Sequence, residues 1–130
     1  MSYDFTFYYD EPYLLFVLSG RVDSVEQVLA YTAAIIEEAT AKGYDAVLVD
    51  ERAAQISIEQ FEAIQIADAY DARYIQLLGI RGAVVVDPKD AERAHSLETA
   101  YANRSLPIKY YTDVDEAKRW LLEKRDAGRG

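Results

Sequence analysis

The chain has 130 residues, of which 51% are apolar and 28% are charged, a size and balance typical of one globular domain with its own hydrophobic core. The 23 acidic residues outnumber the 14 basic ones and give a formal net charge of −9, which disfavours binding to nucleic-acid phosphates. The absence of cysteine excludes disulfides and thiolate metal sites, and a single histidine leaves no histidine cluster for a metal. No stretch approaches the ~18 apolar residues of a membrane-spanning helix, so we expect a cytoplasmic protein.

The first third of the chain predicts a β-hairpin, an α-helix and a buried strand. Over residues 5–18, an alternation of polar and apolar residues is followed by a turn and a continuous apolar run, which is typical of a hairpin whose second strand is covered on both faces. Ser24 and Gln27 have the spacing of a capping box ahead of an amphipathic helix, and Gly43 stands where a helix ends. Residues 46–49 predict a short buried strand.

The middle of the chain predicts a second helix, another strand and the start of a third helix. Residues 57–60 again have the spacing of a capping box, with Ser57 as the N-cap of a helix that ends before Gly79. Residues 82–86 are typical of a buried strand. Asp87, which is followed by a proline, then indicates the start of a helix.

The last part of the chain completes an alternating pattern of strands and helices. Residues 107–111 predict an edge strand that begins with proline, and Asp113 caps the final helix. The order β-β-α-β-α-β-α-β-α indicates an α/β fold, with a mainly parallel sheet of about five strands, an N-terminal antiparallel hairpin strand and four helices. We expect a single domain over residues 1–124 and a flexible C-terminal tail over residues 125–130.

Charged residues cluster where the predicted parallel strands end. The carboxyl ends of parallel strands share one edge of a sheet, and ligand crevices form there in open α/β folds. Carboxylates at this edge could act as a general acid and base or hold a divalent cation, whereas the alternative is helix capping and surface ion pairs. No glycine-rich phosphate loop accompanies them. The possible ligand edge consists of Arg21, Asp23, Asp50, Glu51 and Asp87.

Tyrosine is unusually frequent, at 11 of 130 residues. Its apolar ring and polar hydroxyl suit the boundary between core and water, and it is also enriched at protein interfaces. The candidate buried positions of the second predicted helix are Phe61, Ile64, Ile66, Ala67, Tyr70 and Tyr74. Of these, Ile66, Tyr70 and Tyr74 follow one another at every fourth residue. We interpret these three residues as a possible dimer face, and boundary packing within one chain is the alternative.

Several segments are similar to those of a known family. Residues 101–104, 108–111 and 113–121 resemble its closing segment, and residues 46–50 and 81–86 resemble two of its strands. The chain thus resembles the small bacterial SpoIIAA-like proteins, a STAS/SEC14-domain group related to anti-sigma-factor antagonists. The resemblance extends over the whole chain and implies a SpoIIAA-like fold.

The resemblance implies two kinds of function. Anti-sigma-factor antagonists bind a kinase-like partner and are phosphorylated on a serine at the start of the helix after the second parallel strand, whereas SEC14-like relatives hold a lipid or another apolar ligand. Ser57 occupies the matching position. The usual phosphoacceptor motif is absent, because Ile56 replaces its aspartate and Ile58 and Glu59 replace its serine and glycine. The possible regulatory or partner surface consists of Arg52, Ser57, Glu59, Phe61 and Glu62.

We therefore expect a non-enzymatic regulatory or protein-interaction module, with an unidentified protein partner or a second copy in a homodimer. The alternative is a carrier of a small apolar or lipid-like ligand in a SEC14-like pocket, and an enzyme that uses the acidic edge is the least favoured class. No cofactor, metal, nucleic acid or membrane insertion is expected. A deep internal pocket would favour the carrier, an exposed apolar patch the interaction module, and a cleft carboxylate with a strongly raised pKa the enzyme.

Overall fold

The computed structural model describes residues 3–73 and 79–129. Five strands form one sheet. The strands are β1 (Tyr3–Tyr9), β2 (Leu14–Val22), β3 (Ala46–Ile56), β4 (Arg81–Val85) and β5 (Ile108–Tyr111). The helices are α1 (Val25–Lys42), α2 (Gln60–Arg73), α3 (Ala91–Ala102) and α4 (Val114–Arg129), with a 3-10 turn at Pro88–Asp90 before α3.

The strands lie side by side in chain order, β1-β2-β3-β4-β5. β1 pairs antiparallel with β2 because a short turn joins them, and β2 to β5 are mutually parallel because a helix connects each pair. This arrangement confirms the predicted α/β fold with its mainly parallel sheet, its N-terminal antiparallel strand and its four helices. The division into a domain at 1–124 and a tail at 125–130 stays a prediction, and α4 itself extends to Arg129.

Side chains alternate between the two faces of the sheet, and the two faces are covered differently. Helices α1, α2 and α3 pack on one face, where they enclose a large core with Phe16 and Val49 at its floor. Among the described helices, α4 covers the other face, where Leu121 packs on Leu48 and Val85. No helix in residues 3–73 or 79–129 is long and apolar enough to cross a membrane.

The predicted helix ends around α1 are confirmed. The Ser24 hydroxyl accepts a hydrogen bond from the Gln27 backbone, and the Gln27 side chain accepts one from the Ser24 backbone, which completes the capping box. Gly43 ends α1 with a φ of 79°, a left-handed conformation that favours glycine. Asp87 likewise caps the turn that leads into α3. The Asp113 carboxylate accepts from the Asp115 backbone at the start of α4.

The second predicted capping box is wrong. Helix α2 begins at Gln60, two residues later than Ser57 as N-cap would place it. Strand β3 is longer than predicted, because pairing with β2 continues to Ile56 and the Ser57 backbone N–H still donates to the Val22 carbonyl at 2.8 Å. The Glu62 carboxylate folds back to accept from the Glu59 backbone N–H at 2.9 Å and satisfies the helix start instead.

The buried face of α2 differs in part from the prediction. Ile66 and Tyr70 are buried in the chain's own core, so the predicted dimer face does not lie on the surface. The physical reason is that Ala63, Ile66 and Tyr70 belong to one helical stripe, which packs against α1 and α3. Phe61 and Ile64, predicted as core, are exposed. The third dimer-face residue, Tyr74, lies outside the described residues.

Alanine substitutions at Ile66 and Ile64 test this assignment of faces. Ile66 is 1% exposed, so Ile66→Ala should lower the free energy of unfolding by about 2–5 kcal/mol through the lost burial and the void it leaves. Ile64→Ala is the matched control on the same helix and should change this energy by less than about 0.5 kcal/mol. Urea unfolding followed by circular dichroism measures both. Equal losses would contradict the described faces.

Candidate functional site

A cavity of about 90 Å³ lies between the sheet and helices α1, α2 and α3. Strands β3 and β4 form the floor of the cavity. Gly82 on β4 lies in this floor and has no side chain to fill the space. A Cβ atom built on Gly82 would meet Ile108 Cγ1 at 4.0 Å and no nearer atom of the described residues, so a Cβ atom has room at this position. The apolar wall includes Val28, Ile35, Val49, Ile66, Val84 and Leu97.

One carboxylate projects into this apolar space. Strand alternation turns Val47, Val49 and Glu51 of β3 towards the helices, so Glu51 is 5% exposed and lines the cavity. The Tyr31 hydroxyl of α1 donates to Glu51 Oε2 at 3.5 Å. Arg93 Nη1 of α3 lies 3.8 Å from Glu51 Oε1, which is an ion pair but too long for a hydrogen bond.

The environment of Glu51 favours its protonated form. Burial raises the pKa of its carboxyl from the ordinary 4.5 to about 7, against the opposing effects of the Arg93 charge and the Tyr31 hydroxyl. The nearby carboxylates Asp90 and Asp50 raise this pKa further. The cavity therefore contains a group whose charge changes close to neutral pH.

Tyrosine hydroxyls form the remaining polar part of the cavity wall. The Tyr70 and Thr32 hydroxyls are 2.6 Å apart and join α2 to α1 across the cavity. The ring of Tyr101 stacks between those of Tyr70 and Tyr110, at centroid distances of 5.5 and 6.2 Å. Burial raises the pKa of the Tyr31, Tyr101 and Tyr110 hydroxyls well above 10.0, so these groups are neutral donors at ordinary pH.

Of the five residues of the predicted ligand edge, only Glu51 lines the cavity. Asp50 points to the opposite face of the sheet and forms a bidentate pair with Arg52, with nitrogen–oxygen distances of 2.9 and 2.8 Å. This pairing lowers the pKa of Asp50. Asp87 caps the turn before α3, Arg21 is exposed near the end of β2, and Asp23 is exposed just beyond this strand.

The predicted partner surface lies outside the cavity, around the start of α2. Ser57 and Glu59 are exposed, and Arg52 is occupied by its pair with Asp50. Phe61 has 61% of its surface exposed, and Ile64 beside it on the helix has 48% exposed. Two large apolar side chains are thus exposed to solvent near the start of α2. This helix start is acidic, and the Glu62 carboxylate there accepts a hydrogen bond from the Glu59 backbone.

Sequence reasoning missed Arg93 and Gly82. The signal for a buried charge was present, because the alternation that places Val47 and Val49 inside places Glu51 there as well. No local pattern in α3 indicates that Arg93 meets this carboxylate. The described residues contain no group of three or more metal-ligating side chains that could hold an ion.

The chain is similar in structure to two solved proteins. One is an anti-sigma factor antagonist from Mycobacterium paratuberculosis, with a TM-score of 0.59 and 18% sequence identity over 92% of this chain and 94% of that one. The other is an uncharacterized protein of the DUF3478 family with a SpoIIAA-like fold from Shewanella loihica, with a TM-score of 0.48 and 18% identity over 92% of this chain and 93% of that one. No protein-family model and no curated protein matches the sequence.

The likeness to the antagonist confirms the fold that the resemblance implied. This chain has the SpoIIAA-like fold of anti-sigma-factor antagonists. At 18% identity the likeness shows the fold alone.

Stability measured against pH tests the burial of Glu51. Because its pKa rises from 4.5 unfolded to about 7 folded, the folded state holds the extra proton between these values, and stability falls as pH rises through this window. The difference amounts to about 3 kcal/mol. Glu51→Gln removes the titration. The free energy of unfolding of the variant, relative to that of the wild type, should therefore increase from pH 4.5 to 7 and stay constant above pH 7. A difference that does not change with pH would contradict the raised pKa.

Proposed function

We propose that this chain is a non-enzymatic binding module of STAS-like type that holds a small, mainly apolar molecule in the cavity between its sheet and helices. The observation that carries the proposal is the mainly apolar space of about 90 Å³ between the sheet and helices α1, α2 and α3. Protein interiors are otherwise close-packed, with few voids larger than a water molecule. The internal cavity is the feature expected of the carrier, the alternative function. The raised pKa of Glu51 is the feature expected of an enzyme, but burial is its largest cause, so we favour the carrier.

The cavity reduces the stability of the empty protein. A void of about 90 Å³ corresponds to about 2 kcal/mol at the usual cost of residual cavity volume. Gly82 keeps the space open in the middle of a sheet, where glycine weakens a strand and often marks the close approach of a ligand. A bound molecule would restore the missing contacts and offset this loss.

The size of the cavity limits the ligand. An engineered cavity of ~150 Å³ holds benzene, so a space of about 90 Å³ suits a compound of a few carbon atoms in a chain or small ring. A lipid with long acyl chains would need α2 to move away from α1, which breaks the contact between Tyr70 and Thr32. The proposal is accordingly a small-molecule site.

The second candidate is an interaction with protein, and the exposed Phe61 and Ile64 favour it. Apolar side chains of this size on one helix are typical of contact surfaces when they lie together. The fold likeness to a protein described as an anti-sigma factor antagonist agrees with a regulatory role. Since Ile66 on the same helix lines the cavity, ligand occupancy and partner binding would both act on α2.

Filling the cavity tests the first proposal. Gly82→Val should occupy the open space above β4 and remove small-molecule binding, while the β-branched residue supports the strand and keeps stability at least equal to that of the wild type. Native mass spectrometry, under gentle and then denaturing conditions, should show added mass on the wild type alone. Gly82→Ala, which fills less of the space, is the control and should show an intermediate amount of bound ligand. Equal retention of ligand by wild type and Gly82→Val would contradict a ligand in this cavity.

Sedimentation velocity tests the second candidate, with a second copy of the chain as the partner. The wild type should associate as its concentration rises, and Phe61→Ser should remain monomeric because it removes the most exposed apolar side chain of α2. Tyr8→Ser, on the exposed side of β1, is the matched control and should associate like the wild type. A wild type that stays monomeric at all concentrations would exclude self-association through this surface.

A further inference from the structure

Two buried polar atoms at the cavity lack hydrogen bonds. Glu51 Oε1 accepts none and Arg93 Nε donates none within the described part of the chain. Buried polar atoms of native proteins are nearly always satisfied, and an unsatisfied pair in one cavity indicates a missing group. Both residues line the same space.

The distances around Arg93 and Glu51 explain why these two polar atoms have no hydrogen-bond partner. Arg93 lies between two carboxylates, with Nη1 at 3.8 Å from Glu51 Oε1 and Nη2 at 3.9 Å from Asp90 Oδ2. Both distances are too long for direct hydrogen bonds, so neither carboxylate satisfies the guanidinium. The Tyr31 hydroxyl is directed to the other oxygen of Glu51. One acceptor and one donor therefore remain for a molecule in the cavity.

We propose that the cavity recognises an uncharged molecule with one hydroxyl group on a small apolar body, and that this hydroxyl donates to Glu51 Oε1 and accepts from Arg93 Nε. The inference rests on the proposed function, because it requires a ligand in the cavity. A hydroxyl is the smallest group that donates and accepts at once. The apolar body would contact Val49, Val84 and Leu97.

The charges beside the cavity oppose ligands of either sign. A carboxylate or phosphate would lie beside Glu51, and an ammonium group beside Arg93, both of which line the cavity. The remaining lining is apolar and offers no solvation to a second charge. A pure hydrocarbon fits the space but leaves both polar atoms unsatisfied.

2-Propanol and propane form a matched pair of probes small enough for this cavity, because they share the carbon chain and differ in the hydroxyl. Their affinities are measured by saturation-transfer NMR at pH 8.5, where Glu51 is ionised because its pKa is about 7. We expect the wild type to bind 2-propanol at least about tenfold more tightly than propane. Gly82→Val should bind neither, which locates both probes in the cavity.

Two substitutions at Glu51 identify the group that recognises the hydroxyl. Glu51→Leu removes the acceptor and should reverse the preference, with propane still bound, because the hydroxyl then loses its partner. Glu51→Gln keeps a neutral acceptor and should retain a weaker preference for the alcohol. Circular dichroism confirms that both variants are folded.

The outcomes separate the two proposals. Equal binding of both probes by the wild type, or an unchanged preference in Glu51→Leu, would overturn the hydroxyl recognition and leave the apolar binding module intact. Binding of neither probe by the wild type would overturn both, and water alone would then satisfy the two polar atoms.

Discussion

The burial of the Glu51 carboxylate determines how the elements around the cavity are arranged. Alternation along β3 directs this side chain into a face that is otherwise apolar. A buried carboxylate must be paired or neutralised, because an isolated charge in such surroundings is very costly. Arg93 of α3 supplies the charge and Tyr31 of α1 the hydroxyl, so one acidic residue connects the sheet to two helices. The pKa of about 7 shows that this compensation is incomplete.

Helix α2 connects the interior of the domain with its surface. Its buried stripe places Ile66 and Tyr70 at the cavity, and its opposite side presents Phe61 and Ile64 to solvent. The helix is held to α1 at the cavity by the contact between the Tyr70 and Thr32 hydroxyls. A molecule that breaks the contact between Tyr70 and Thr32 would therefore move α2, and with it the exposed Phe61 and Ile64. This geometry gives a regulatory module a physical means of linking a ligand to a partner.

The fold could be predicted from local patterns, and the site largely could not. Capping at Ser24, the left-handed Gly43 and the alternation of strands with helices depend on residues close in sequence, where spacing is informative. The strand order and the length of β3 depend on pairing with β2, which also moves the start of α2 past Ser57. The pairing of Glu51 with Arg93 joins residues that only tertiary packing brings together. Local spacing cannot specify such a contact.

Three neighbouring features of the cavity each reduce stability, and their coincidence is the argument for binding. Strand β4 contains a glycine, a void remains above it, and a carboxylate beside the void lacks a hydrogen bond. Well-packed apolar residues in place of buried ion pairs are often neutral or stabilising, so stability alone would not retain Glu51 and Arg93 here. Functional sites are where proteins depart from the most stable choice of residues. A ligand that fills the space and satisfies both polar atoms would remove the cost of the void and of the two unsatisfied groups at once.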